Sequence, residues 1–323
     1  MADAKVTSLS EISVPALEDL TYWVDDPAGT PASAKASMTR ALGLVGMVPG
    51  GRLTLTTAVP ITNADVTAAS TLYYTPYLNN VIRIFDGTRW KVYTYTERSL
   101  ALSGLTSGKN YDVFIYDNAG TLTLELSAAW TNDTTRADAL ALQDGVYVKS
   151  GTTSRLWLGT IRTTATTTTE DSVTKRFVWN AYNRAMRSLY KTDSTLTWTY
   201  STSSWRQANG AAANQVELVC GQPWSGLRLT CTAAMKTSSG TSQTKAGIGE
   251  DSTSALMSNT TTSYMDGPTN TYGWAMAKTS KTPSLGYHYY AWLEYGMGTG
   301  TQTWIGSQSA IPNNNGLQGE WEA

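Results

Sequence analysis

From residue 51 onward the chain is written in short bursts of alternating apolar and polar residues, each closed by a turn signal. The bursts of the first half are Leu53-Thr54-Leu55 and residues 81–85, 111–116, 122–126, 146–148 and 156–161. Between them stand Asp86-Gly87, Ser107-Gly108-Lys109-Asn110, Asn118-Ala119-Gly120, Asp144-Gly145 and Ser150-Gly151. A period of two places alternate side chains on one face of a strand, and Gly, Asn and Asp supply the backbone angles of tight turns. Several short strands at roughly ten-residue spacing predict an antiparallel sandwich or barrel.

The pattern restarts near residue 190. Residues 196–200, Trp205-Arg206, 215–220, 227–231, 272–277, 287–295 and 301–305 all read as strands, and the chain finishes on residues 316–321. On the order of eight strands in this stretch matches jelly-roll arithmetic. Two segments interrupt the pattern. Residues 134–142 predict a short helix capped by Thr134 or Thr135. Val173, Phe177, Ala181 and Leu189 fit a helical stripe, but Phe177-Val178-Trp179 also suits a strand, so residues 173–190 stay open with a lean toward strand. The Thr-rich run 163–169 ends the first module as a loop or an exposed edge.

Composition agrees with a polar β-protein. Charged residues make up only 15% of the 323, while Tyr (18) and Trp (12) far outnumber Phe (3). Tyr and Trp combine a large apolar body with a polar edge, and with Thr they favour strands. A chain of this length suggests two or three domains. Basic and acidic residues nearly cancel, 24 against 25, so no overall field attracts a polyanion and nucleic acid is not expected as a partner. No apolar run is long enough for a membrane helix, and no signal-peptide core is read at the start, so membrane insertion and Sec-type export are not expected.

Cys220 and Cys231 flank residues 221–226, which read as a hairpin turn. Val216, Leu218 and Cys220 share one parity, and so do Leu227, Leu229 and Cys231, which places both thiols on the apolar face. In such a hairpin they would not stand opposite each other, so two buried free thiols are expected rather than a disulfide. With one distant histidine they make no zinc set, and no metal or cofactor is expected.

The first fifty residues are different. Leu9, Ile12, Leu17, Leu20, Tyr22, Trp23, Val24, Met38 and Leu42 are the apolar positions of a short strand, a turn around Asp25-Asp26-Pro27-Ala28-Gly29 and a second short segment. So few apolar side chains cannot offset the entropy of ordering the segment, which must dock on something else. The pattern K-V-T-S-L-S-E-I … D-L-T-Y-W-V-D-D-P-A-G-T-P-A-S-A-K-A-S-M-T-R-A-L resembles the leader of many tailed-bacteriophage fibre, spike and other virion appendage proteins. That resemblance implies attachment to the particle. Residues 84–184, with Phe85-Asp86-Gly87-Thr88-Arg89-Trp90, Tyr111-Asp112-Val113-Phe114-Ile115-Tyr116-Asp117 and Lys175-Arg176-Phe177-Val178-Trp179-Asn180-Ala181-Tyr182-Asn183-Arg184, resemble a β-rich module of phage structural proteins. No catalytic residue comes with either likeness. The Tyr/Trp-rich ending is similar to trimeric jelly rolls at viral fibre tips, which implies a homotrimer.

Little else points to chemistry. His288, the only histidine, shares a strand face with Tyr290, Trp292 and Glu294 and reads as structural. The candidate carboxylates for glycoside hydrolysis are Glu250-Asp251, Asp171 with Glu170, Glu125 and Asp144, but the Gly/Ser/Thr surroundings of Glu250-Asp251 read as a solvated loop. Lys175, Arg176, Arg184 and Arg187 with Phe177, Trp179 and Tyr182 read as a solvated edge rather than a nucleic-acid surface. Trp224, Tyr264, Tyr272, Trp274, Tyr289, Tyr290 and Trp292 are the candidate receptor or interface aromatics, since such rings stack on sugars or anchor interfaces.

The expectation is an all-β protein: an N-terminal anchoring segment (1–50), a central β-sandwich (51–190) and a C-terminal jelly-roll-like sandwich (191–323). It is expected to be a non-enzymatic virion component assembled in a bacterial cytoplasm, a tail-fibre or receptor-binding appendage. The alternatives are a capsid decoration protein or head fibre and, third, a polysaccharide-degrading spike. The expected partners are other virion proteins, further copies of itself and a host-surface glycan.

Overall fold

The computed structural model describes residues 20–25, 32–37, 48–239, 243–265, 269–307 and 315–323. Among these the protein is all-β, with a single 3-10 turn at Ala208–Gly210 as its helical element. Leu20–Asp25 pairs antiparallel with Ala32–Ser37 from Leu20↔Ser37 to Asp25↔Ala32. Leu9, Ile12, Leu17, Met38 and Leu42 lie outside the described residues, as do the side chains of Leu20, Tyr22, Trp23 and Val24.

Beyond this hairpin the strands build layers around two large cores, with a small third cluster of Phe85, Trp90 and Val148. The first core lies between a three-stranded sheet (Gly51–Thr54, Thr71–Pro76, Arg98–Ala101) with the hairpin Val81–Phe85/Trp90–Thr94, and the sheet formed by Thr121–Leu126, Asn110–Asn118 and Thr152–Ala165. Leu53, Leu72, Tyr74, Ile82 and Ile84 meet Val113, Ile115, Leu124, Leu156, Leu158 and Ile161 there. The second core is a sandwich. One wall carries Val216, Leu218, Ile248, Tyr290 and Trp292, and the other carries Leu227, Leu229, Cys231, Met235, Ala277, Leu317 and Trp321.

Phe114 and Trp157, on the middle strands of the first sheet, belong to the second core, as does Trp179. Asn110–Asn118 is therefore covered on both faces, which is why residues 111–116 read as a nearly continuous apolar run. Thr152–Ala165 manages the same double duty through a register shift between Trp157 and Gly159 against Asn110–Asn118. Glycine fits this bulge because a Cβ at Gly159 would run into the Trp179 carbonyl oxygen.

Among the described residues the pairing is antiparallel except where Lys175–Arg176 runs parallel to Gln215–Cys220. The boundary expected between residues 190 and 191 falls inside the strand Met186–Lys191, which pairs along its length with Gly316–Glu322.

Three expectations need correction. Residues 134–142 are not a helix: Asn132 and Thr135 form an isolated bridge, and Leu140–Gln143 is a strand paired with Val146–Lys149. The cause is the two-residue turn Asp144-Gly145, whose φ values of 51° and 79° suit a tight hairpin and outweigh the helical propensity of the Ala/Leu stretch. Residues 221–226 are not a hairpin turn. Gln215–Cys220 pairs with Gly286–Tyr295, whereas Leu227–Thr237 pairs with Tyr272–Lys281 and Gly316–Glu322, so the connection crosses from one sheet to the other. Both cysteines are nonetheless buried and free, and burial pushes the Cys220 thiol up to about 12. The basic segment is not a solvated edge. Arg176 and Arg187 are buried and share Asp171, each at 2.9 Å, while Phe177 and Trp179 sit in the interior.

Candidate functional site

The outward face of the seven-stranded sheet is where the candidate aromatics meet. Alternation along Tyr272–Lys281 turns Ala275 and Ala277 into the core and leaves Tyr272, Trp274, Met276 and Lys278 outside. The register extends this face sideways. Tyr272 stands opposite Lys236, Met276 opposite Thr232 and Lys278 opposite Thr230, and Thr230 in turn faces Gln318. Gln318 pairs with Tyr190 and Glu320 with Ser188. Tyr272 and Trp274 are 58% and 59% exposed. The Lys236 ammonium lies 5.6 Å from the Tyr272 ring centre. Between Tyr190, Arg228, Thr230, Gln318 and Glu320 the surface sinks into a groove of about 500 Å³. One sheet face thus offers rings, apolar methionines and both signs of charge.

The remaining candidates separate. Tyr264 is exposed on a short edge strand paired with Thr244–Glu250. Trp224 lies in the crossover between sheets, 42% exposed and packed against Tyr147, Trp157 and Trp179. Tyr289 is half-buried. Tyr290 and Trp292 are no surface platform: both are 0% exposed in the second core. Their strand, Gly286–Tyr295, is central in its sheet, with Gln215–Cys220 on one side and Thr244–Glu250 on the other. Tyr190, Met186, Gln318 and Glu320 escaped notice in the sequence because only the long-range pairing of Met186–Lys191 with Gly316–Glu322 brings them to the face. Met276 had a signal, since it keeps the parity of Tyr272 and Trp274.

The titratable groups are mostly engaged with one another. His288 is buried, and its Nδ1 lies 2.7 Å from Asp251 Oδ2. The Asp251 carboxylate also accepts the Tyr289 N–H at 3.0 Å. Burial opposes its charge, but the bonds from His288 and Tyr289 outweigh that and hold it below the usual carboxylate range. Among the described residues no Ser, Thr or Cys side chain bonds to the His288 ring. Glu250 is not in a solvated loop: it ends the strand Thr244–Glu250 and accepts from Lys281 Nζ at 2.5 Å and the Tyr290 hydroxyl at 3.1 Å.

Among the described residues two carboxylates are fully buried. Asp112 accepts from Trp157 Nε1 (3.0 Å), Thr160 Oγ1 (2.7 Å), Trp130 Nε1 (2.9 Å) and Arg136 Nε (2.8 Å). Burial raises its pKa against the pull of Arg136. Glu294 accepts from Trp198 Nε1 (2.6 Å), Arg206 Nε (2.7 Å) and the Asn209 N–H (3.2 Å), and burial still pushes it up to about 7. Every oxygen of both groups is taken by a donor, so they serve as cross-links between strands. Among the described residues no cluster of three or more His, Cys, Asp and Glu could hold a metal ion, and no helix is long and apolar enough to cross a membrane.

Scanned against protein-family models the chain matches none, and a search of curated proteins finds no similar sequence.

Proposed function

We propose that the chain is a non-catalytic structural component of a bacteriophage virion, attached through its N-terminal segment and presenting its β-layers outward, as a tail-fibre or receptor-binding appendage. The single structural observation that carries this reading is the outward face of the seven-stranded sheet, with Tyr272, Trp274, Met276 and Tyr190 exposed together. Exposed aromatic rings and methionine set among polar side chains on one sheet face suit a contact surface. The proposal assigns it to further copies of the chain, as a homotrimer, with other virion proteins as partners of the N-terminal segment. The leader-like pattern of residues 5–42 supplies the reason to look to a virion. The saturated bonding of Asp112, Glu294 and Glu250 favours a structural role for them over an acid–base one.

Particles assembled with a chain lacking residues 1–47 should lose the protein, while the full chain is found on them by immunogold labelling. Label at the tail supports the appendage reading, and label at capsomers supports a decoration protein or head fibre. Incorporation of the shortened chain at the full level would overturn attachment through the N-terminus. In solution, Trp274→Lys should dissociate the trimer in sedimentation experiments, and a monomeric parent chain would remove the assigned role of the sheet face.

A further inference from the structure

A second place on the molecule is built differently. Beneath the crossover of residues 221–226 lies a cavity of about 380 Å³, lined among others by Arg83, Gly145, Tyr147, Leu156, Tyr182 and Trp224. Small-molecule sites are of this order, largely apolar with a few placed polar groups. Trp224 is held by ring contacts at 5.4 Å to Tyr147 and 5.9 Å to Trp179, so the platform is rigid before any ligand arrives.

Among the described residues Arg83 has no hydrogen-bond or ion-pair partner. Its Nε is buried and bonded to nothing, and its guanidinium forms no ion pair, lying instead 4.7 Å from the Trp90 ring centre. Asp144, whose carboxylate feels the charge of Arg83, is already bonded by Trp90 Nε1 at 2.9 Å and Gln143 Nε2 at 3.0 Å. A second cation, Arg184, sits 5.7 Å from the Trp224 ring centre, and its Nε too is buried without a partner. The hydroxyls of Tyr147 and Tyr182 make no hydrogen bond to described residues.

We propose that this cavity binds an acidic pyranose, with the sugar carboxylate on Arg83 and the C–H face of the ring on Trp224. The planar guanidinium can meet a carboxylate in two parallel bonds from its terminal nitrogens, which no described residue engages, while the enclosed Nε stays out of the contact. Aromatic rings suit the apolar face of a sugar, and the Tyr147 and Tyr182 hydroxyls suit its hydroxyl groups. Inorganic phosphate would engage the arginines and leave the rings empty. A neutral hexose would cover the rings and leave Arg83 unpaired. The site is separate from the sheet face and does not depend on where the chain is attached.

The test is calorimetric titration of the full chain with sodium glucuronate, galacturonate and their short oligomers, with glucose and phosphate alongside. Saturable binding of a uronate is expected, with glucose and phosphate each weaker by about tenfold or more, the worth of one charge-assisted contact. Arg83→Met should weaken uronate binding by a similar factor, and Trp224→Leu should also weaken it. Arg83→Met gives up the contact with the Trp90 ring, so its thermal melting is read beside the titration: a variant that still unfolds cooperatively well above the titration temperature has lost binding and not folding. No saturable uronate binding, binding of glucose or phosphate as strong as uronate, or unchanged binding by Arg83→Met would each overturn the proposal. None of these outcomes touches attachment through the N-terminal segment.

Discussion

Glu294 sits in the second sandwich with no solvent contact, and its ordinary value of 4.5 is moved by burial to about 7 despite three donors. Below pH 4.5 the folded and unfolded chains both hold this proton. Between there and about pH 7 the unfolded chain has released it while the folded chain keeps it, so this group makes stability fall as pH rises, by about 1.4 kcal/mol per pH unit. Above that window its contribution is constant. Urea unfolding at pH 5 and pH 7 should therefore show a loss in the parent that shrinks in Glu294→Gln; equal losses in both chains would contradict the assignment. Asp251 works in the opposite sense: its lowered value makes the bond to His288 a source of stability that fades only in acid. Neither role was visible in the sequence. Glu294 looked like one more polar end of an aromatic strand, and Asp251 like part of a solvated loop. Trp198, Arg206 and His288 come from distant positions in the chain, and only folding brings them close.

Among the elements, Thr152–Ala165 joins the two cores. It pairs with Asn110–Asn118, Val146–Lys149, Thr168–Asp171 and Val178–Asn180, and it switches the facing of its side chains at the bulge before Gly159. Gly159→Ala forces a Cβ against the backbone of Val178–Asn180. It should cost at least ~2 kcal/mol, since overpacking against main chain cannot be relieved by a rotamer change. The measurement is the urea midpoint at neutral pH, and a midpoint unchanged from the parent would show that the bulge tolerates a side chain. Sequence reading found Asn110–Asn118, Val146–Lys149 and the middle of Thr152–Ala165 from apolar bursts bounded by glycine turns, but took the Thr-rich run 163–169 for a loop or exposed edge, whereas Thr163 and Thr169 pair with each other and are buried. It mistook 134–142 for a helix because composition spoke for a helix there while the deciding turn, Asp144-Gly145, lies just beyond.

At the scale of the molecule, the second core draws on Phe114, Trp157 and Trp179 as well as on residues after 190. Arg136 reaches the Gly221 carbonyl and Arg52 reaches the Ala323 carbonyl, tying early strands to late ones. A fragment of residues 191–323 would lack Met186–Tyr190 beside Gly316–Glu322 and the rings beneath Trp224. It should therefore fail to give a cooperative thermal transition, whereas the chain from residue 48 to 323 should unfold in one step by both far-ultraviolet dichroism and tryptophan fluorescence. A fragment melting cooperatively near the parent temperature would show that the late strands suffice alone.

Local alternation and turn chemistry by themselves determined that the chain is all-β, where most of its strands run and that its thiols are buried. These follow from backbone preferences and from the requirement that one side of a strand leave water. Only the tertiary structure decided which strands share a sheet, and hence which aromatics surface. Tyr272 and Trp274 lie on an outward face while Tyr290 and Trp292, equally aromatic and equally alternating, are closed in by a second sheet. The physical reason is that a strand's pattern records that it has two sides, whereas the partner covering each side comes from residues far away along the chain.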